Sequence, residues 1–148
     1  MQELNDDRVA LIGVDAGSAY LEGVRLEKAQ ARRANFSSTD LREAHFKEAS
    51  LDDADLHYAN LRGADLRGCS MTGANLNDAD LSGANLAGAD VAKVALERAD
   101  LRGADLKDVQ HWQVIEKIRE ANILGIRNAP DGFVAWAKKM GAVETNSD

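Results

Sequence analysis

The sequence predicts an all-β solenoid: a four-sided β-helix of about five coils with a short C-terminal helical cap. Three observations carry this. Small and aliphatic residues recur every five positions from Val9 to Asp108, without an insertion. Inside each five, an inward–outward–inward triplet precedes two turn-forming residues. Beyond Gln110 the period of five gives way to helical spacing. The expected organisation is an N-terminal segment over 1–8, a repeat region over 9–110, and a helical cap and tail over 111–148.

The repeat region comes first. Read in fives from Val9, it gives twenty units: VALIG, VDAGS, AYLEG and so on to ADLKD. The first slot is Ala in fourteen and the third is Leu in fourteen. Every exception is compact in the first slot and apolar in the third, so both slots face a core. The second slot is Asp or Asn in twelve, and the last two slots are polar, charged or Gly except at Ile12, Ala87 and Ala92. A short strand gives the alternation, because its side chains have period two. A turn must then fill slots four and five, or the next unit would arrive with the opposite face inward. Gly in eight of the twenty fifth slots fits that turn. Four such sides close one coil of twenty residues, and stacked coils repeat at about 4.8 Å.

These Ala-Asp/Asn-Leu triplets, as in Ala54-Asp55-Leu56, Ala59-Asn60-Leu61, Ala74-Asn75-Leu76 and Ala99-Asp100-Leu101, resemble the pentapeptide repeat family. The resemblance covers about two thirds of the chain. It implies a right-handed quadrilateral β-helix. It also brings one functional expectation, because some members mimic a DNA rod and occupy the DNA-binding saddle of type II topoisomerases, modulating gyrase or protecting it from quinolones.

Residues twenty apart should stack. Leu21, Leu41, Leu61, Leu81 and Leu101 form one interior ladder; Leu26, Phe46, Leu66, Leu86 and Leu106 form another. Leu11, Ala31, Leu51, Met71 and Val91 form a third, and Ala16, Phe36, Leu56, Leu76 and Leu96 a fourth. Phe36 stacks on Ala16, so the large rings of Phe36 and Phe46 fill room left by small neighbours. Phe36→Ala is expected to cost about 3–5 kcal/mol, read from the urea midpoint. Cys69 occupies a first slot and is expected to be a buried thiol acting as a small hydrophobe.

The same rule sorts the surface. One wall carries Arg42, Arg62 and Arg102 beside Asp40, Asp80 and Asp100; the next carries Lys47, Arg67 and Lys107. These nine residues are the candidate interaction face. Acid and base two apart, as in Asp100–Arg102 and Asp105–Lys107, also read as mutually compensating surface pairs, each worth roughly 0.2–1 kcal/mol.

The tail is expected to form two short helices. Trp112, Ile115 and Ile118 give the apolar side of the first; Phe133, Trp136 and Met140 give that of the second. Pro130 suits the opening turn of the second, Lys138 and Lys139 its last turn, and Gly141 its stop. The pair would plug the open end of the last coil.

Composition bounds the rest. With 25 acids against 18 bases the formal net charge is −7, which disfavours direct contact with nucleic acid or an anionic membrane. From Ala19 to Gln110 there are 16 acids and 12 bases, so the rod's own net of −4 is modest for a DNA mimic. No apolar run is long enough to span a membrane, the start does not read as a signal peptide, and one cysteine fits a reducing compartment. His45 and His57 fall on opposite walls and His111 at the end, so they share no metal. A filled β-helix has no cavity for a substrate. The expectation is a cytoplasmic, non-enzymatic module without metal or cofactor. Its partner would be a protein, and an end of the rod is where a second copy would join.

Overall fold

The computed structural model describes residues 8–146, so the segment expected over 1–8 lies outside the described residues except for Arg8. The backbone is a ladder of single-residue parallel bridges. From Ala10↔Gln30 to Asp90↔Gln110, every second-slot residue pairs with the one twenty positions on. Four walls follow, named here by their third-slot residues: a first wall on Leu11–Val91, a second on Ala16–Leu96, a third on Leu21–Leu101 and a fourth on Leu26–Leu106.

Each corner is the same β-turn. The first-slot N–H donates back to the third-slot carbonyl, as from Ala64 to Leu61 at 3.0 Å. The fifth-slot residue has a positive φ in all twenty units, between 53° and 71°. Glycine adopts this at no steric cost. Twelve other residues hold it as well, Tyr58 and Lys93 among them, because the flanking rungs leave the chain no other route.

One donor in each unit has no place in this scheme: the N–H of slot four. The second-slot side chain takes it, as Asp65 accepts from Arg67 N–H at 3.2 Å and Asn85 from Ala87 N–H at 3.0 Å. Such local Asx bonding explains why that slot favours Asp and Asn. At two corners where the second slot does not serve, the previous coil does. Beside Ser70, Asp52 accepts from Thr72 N–H at 3.0 Å; beside Ala95, Asn77 accepts from Glu97 N–H at 2.8 Å.

Third-slot residues from Ala31 to Leu106 are buried, while Leu11, Ala16 and Leu21 at the first coil are only partly so. Phe36 and Phe46 meet edge to face with centroids 6.0 Å apart. Two first-slot polar groups are satisfied alike. Thr39 Oγ1 donates to the Ala16 carbonyl at 2.9 Å, and Cys69 Sγ donates to the Phe46 carbonyl at 2.7 Å. Burial pushes the Cys69 thiol up to about 12, so it stays protonated and inert.

The first expected tail helix does not form. Residues Trp112–Val114 make one 3-10 turn, and the chain then rejoins the ladder with a register of twenty-two: Ala95↔Lys117, Asp100↔Asn122, Asp105↔Arg127. Two residues inserted at one corner account for the shift. Ile115 and Ile118 are buried as core residues of the solenoid, and Trp112 packs at its end. The segment Ala121-Asn122-Ile123-Leu124-Gly125 is a further unit of the repeat: Asn122 takes the Leu124 N–H, and Gly125 has φ +68°. One helix does form, α1 at Phe133–Lys139. Pro130 stands before it, not in its first turn, and Gly132 is its N-cap. Phe133 and Ala137 are buried and Trp136 partly so, but Met140 is exposed at the C-cap and does not belong to the apolar stripe. Trp112, Phe133 and Trp136 contact one another with centroids 5.5–6.0 Å apart. After α1 the chain adds one more rung, Asn122↔Val143.

Candidate functional site

The third and fourth walls hold the nine candidate residues, and ladder register fixes where each one points. Second and fourth slots both face outward from one short strand, so an acid and a base in those slots lie side by side. Asp40 thus receives Arg42 through Nε at 2.9 Å and Nη2 at 2.7 Å, and Arg42 also reaches Glu22 at 2.9 Å. Asp65 and Arg67 repeat this fork at 2.8 and 2.6 Å, as do Asp100 and Arg102. Hydrogen bonds from the paired guanidinium hold the carboxyls of Asp40 and Asp65 below the usual range. Burial pushes Asp100 up, but Arg102 more than offsets this and leaves it low.

Asp80 makes no ion pair among the described residues and accepts from Ser82, through N–H at 2.9 Å and Oγ at 2.6 Å. Asp105 departs from the expected pairing with Lys107. It takes the Lys107 backbone N–H at 3.0 Å, and its carboxylate is bound by the Asn128 amide, which lowers it. Lys47 lies 3.9 Å from Glu48. Arg62 and Lys107 make no ion pair among the described residues.

Arg62 borders an open depression of about 480 Å³ with Glu22, Arg42, Glu43, Asn60, Gly63 and Ser82. The corner behind it runs Gly23, Glu43, Gly63, Gly83, Gly103 and Gly125; Glu43 Cγ lies 3.7 Å from where a Gly63 Cβ would stand, and the backbone of the last three is bare.

One cluster was not singled out in the sequence. At a corner of the second wall Arg98 clasps Asp78 at 2.7 and 2.8 Å, and His57 lies 3.5 Å from the same carboxylate. Glu97 then links Arg98 and Arg119, each at 3.2 Å. The signal was available, since Tyr58, Asp78 and Arg98 stand twenty apart in the fifth slot. The three histidines do not converge: His57 is drawn to Asp78, His111 lies 2.9 Å from Asp90, and His45 is on the fourth wall. Among the described residues no group of His, Cys, Asp and Glu could hold a metal, and no helix is long and apolar enough to cross a membrane.

Comparison with known proteins agrees with this geometry. Residues 10–47, 49–86 and 79–110 match the family pattern of pentapeptide repeats, in eight copies. No curated protein matches. Among solved structures, a pentapeptide repeat protein from Nostoc Pcc 7120 shares 27% identity at a TM-score of 0.56, covering 82% of this chain and 86% of its own. Rfr23, a pentapeptide repeat protein from the cyanobacterium Cyanothece 51142, shares 25% identity at 0.52, covering 93% and 88%. Full-length QnrB1, a plasmid-mediated fluoroquinolone resistance protein, shares 19% identity at a TM-score of 0.39, over 94% of this chain and 81% of its own. Twenty units in one register, bridged at intervals of twenty residues, make this chain a member of the pentapeptide repeat family, whose fold is the right-handed quadrilateral β-helix.

Proposed function

We propose that the protein is a non-enzymatic interaction module, a rigid rod that offers a flat charged wall to a protein partner. The observation that carries this is Arg62. It is a guanidinium without an ion pair among the described residues, set between the forked Asp40–Arg42 and Asp100–Arg102 pairs and beside a glycine-rich corner. A carboxylate or backbone carbonyl of a partner would complete it. The paired acids and bases around it discriminate by register more than they attract. The inert thiol and the dispersed histidines support a role without catalysis, and a single cysteine supports cytoplasmic residence.

The alternative, a DNA mimic acting on a type II topoisomerase, calls for walls of available carboxylates. Here Asp40, Asp65, Asp78 and Asp100 are each clasped by an arginine. Affinity capture with the purified protein, followed by Arg62→Glu and then the triple reversal of Arg42, Arg62 and Arg102, tests the proposal. The partner should be lost with Arg62→Glu while the thermal midpoint holds. Capture indifferent to all three reversals would reject the wall. Gyrase supercoiling should be unaffected by excess protein, and inhibition or rescue from a quinolone would favour the mimic instead.

A further inference from the structure

Among the described residues, the first coil leaves its leading edge unpaired. Second-slot N–H and C=O groups both point toward the preceding coil, as Gln30 N–H donates to the Val9 carbonyl and the Gln30 carbonyl accepts from Leu11. At Ala10, Asp15, Tyr20 and Arg25 the backbone groups that face this way make no such bond among the described residues. Around that edge Val9, Ile12, Val14 and Tyr20 are exposed, Tyr20 to 90%. Leu11, Ala16, Leu21 and Val24 are only partly covered, so the core is open as well.

We infer that this edge pairs with the same edge of a second copy, head to head about a two-fold axis. Turning one rod over reverses its coil, so the facing strands run antiparallel. In an antiparallel pair, two opposed residues can exchange both N–H···O bonds. A residue with both groups turned to the edge is what that exchange needs, and each of the four walls supplies one. The inward side chains then meet as Ala16 opposite Val24, Val14 opposite Leu26, Leu21 opposite Ala19 and Leu11 opposite Val9, all apolar.

Charge selects the axis. Passed through the first and third walls, it sets Asp15 of each copy, which already accepts from Asn35 at 2.9 Å, against Arg25 of the other, which already holds Glu27 at 2.7 Å, with Tyr20 against Tyr20 and Ala10 against Ala10. Passed through the second and fourth walls, it sets Asp15 on Asp15 and Arg25 on Arg25. The diagonal axes leave all four charges without an opposite. Only the first arrangement is self-complementary, as an isologous contact must be.

Sedimentation equilibrium on the full chain should therefore show a monomer–dimer equilibrium with increasing concentration. Asp15→Lys and Arg25→Glu should each weaken association by about tenfold, since each converts two cross-strand attractions to repulsions. An equimolar mixture of the two variants should recover it, because opposite charges then face at both sites. Tyr20→Cys should oxidise to a covalent dimer, as opposed residues about 5.5 Å apart suit a disulfide. Tyr58→Cys, at an exposed site in the middle of the rod, should not. A monomer at all concentrations would overturn the proposal, whether the edge is covered by the chain's own first residues or left open. So would a variant mixture that stays dissociated, or Tyr20→Cys linking no faster than Tyr58→Cys.

Discussion

Asn77 and Gly83 isolate two demands of one corner. Asn77 occupies a fourth slot, yet its amide oxygen serves the Glu97 N–H in the next coil because Ala95 cannot. Asn77→Ala should cost about 1 kcal/mol in urea denaturation, the usual loss for an abandoned, partly buried donor. Ala95→Asn in the same chain should restore it by supplying the local acceptor, and a double variant no more stable than Asn77→Ala would refute the exchange. Gly83 has φ +67°, and a Cβ built there meets nothing within 4 Å. Gly83→Ala therefore measures the dihedral alone, about 1–2 kcal/mol. Gly73→Ala should cost about the same, because the atom its Cβ would meet, Asp53 Oδ1 at 2.5 Å, ends an exposed side chain that can turn away. A clearly larger loss at Gly73 would show that Asp53 is held in place. The preference for Asp and Asn in slot two was visible in the sequence. Its reason was not, since the orphan donor appears only once the ladder has claimed its neighbours.

At the level of elements, the repeat was legible because five-residue periodicity holds phase through twenty units. The tail misled for the same reason. Trp112, Ile115, Ile118 and Ala121 fall three apart and imitate a helix face, while Ala121-Asn122-Ile123-Leu124-Gly125 repeats the motif two residues out of phase. Ladder pairing outweighed helical propensity, because the last coil offered unpaired rungs and an open core. Helix α1 was legible from its own residues. Phe133 is buried against Trp112 and Trp136, so Phe133→Ala should destabilise by about 3–5 kcal/mol. A thermal midpoint unchanged in that variant would show that this packing adds nothing to stability. Of the candidate wall, the sequence placed all nine residues in columns. It could not tell that Asp105 would prefer Asn128, because Asn128 arrives only through the two-residue shift.

Across the whole molecule the charged walls act in concert with pH. Asp40, Asp65, Asp78, Asp100 and Asp105 all sit below the ordinary carboxylate value in the folded chain. Unfolding in acid therefore takes up protons. Their contribution is complete above the unfolded value near pH 4, and is lost as pH falls through the folded values. The thermal midpoint should hold between about pH 5 and 8 and drop below about pH 4. Arg98→Gln removes the main cause of the low Asp78 value and should make the acid limb shallower. An acid limb identical to the parent's would show that this clasp adds nothing to folding.

The corner at Gln110–Ile115 absorbed two extra residues, and the rungs on either side still close. Length is thus quantised in one direction and elastic in the other. A graft that adds or removes four whole units carries every column through unbroken. Loose residues are absorbed only where the chain turns. A rod built this way can be lengthened in evolution by duplication of whole coils, each copy extending the same printed surface by roughly 4.8 Å.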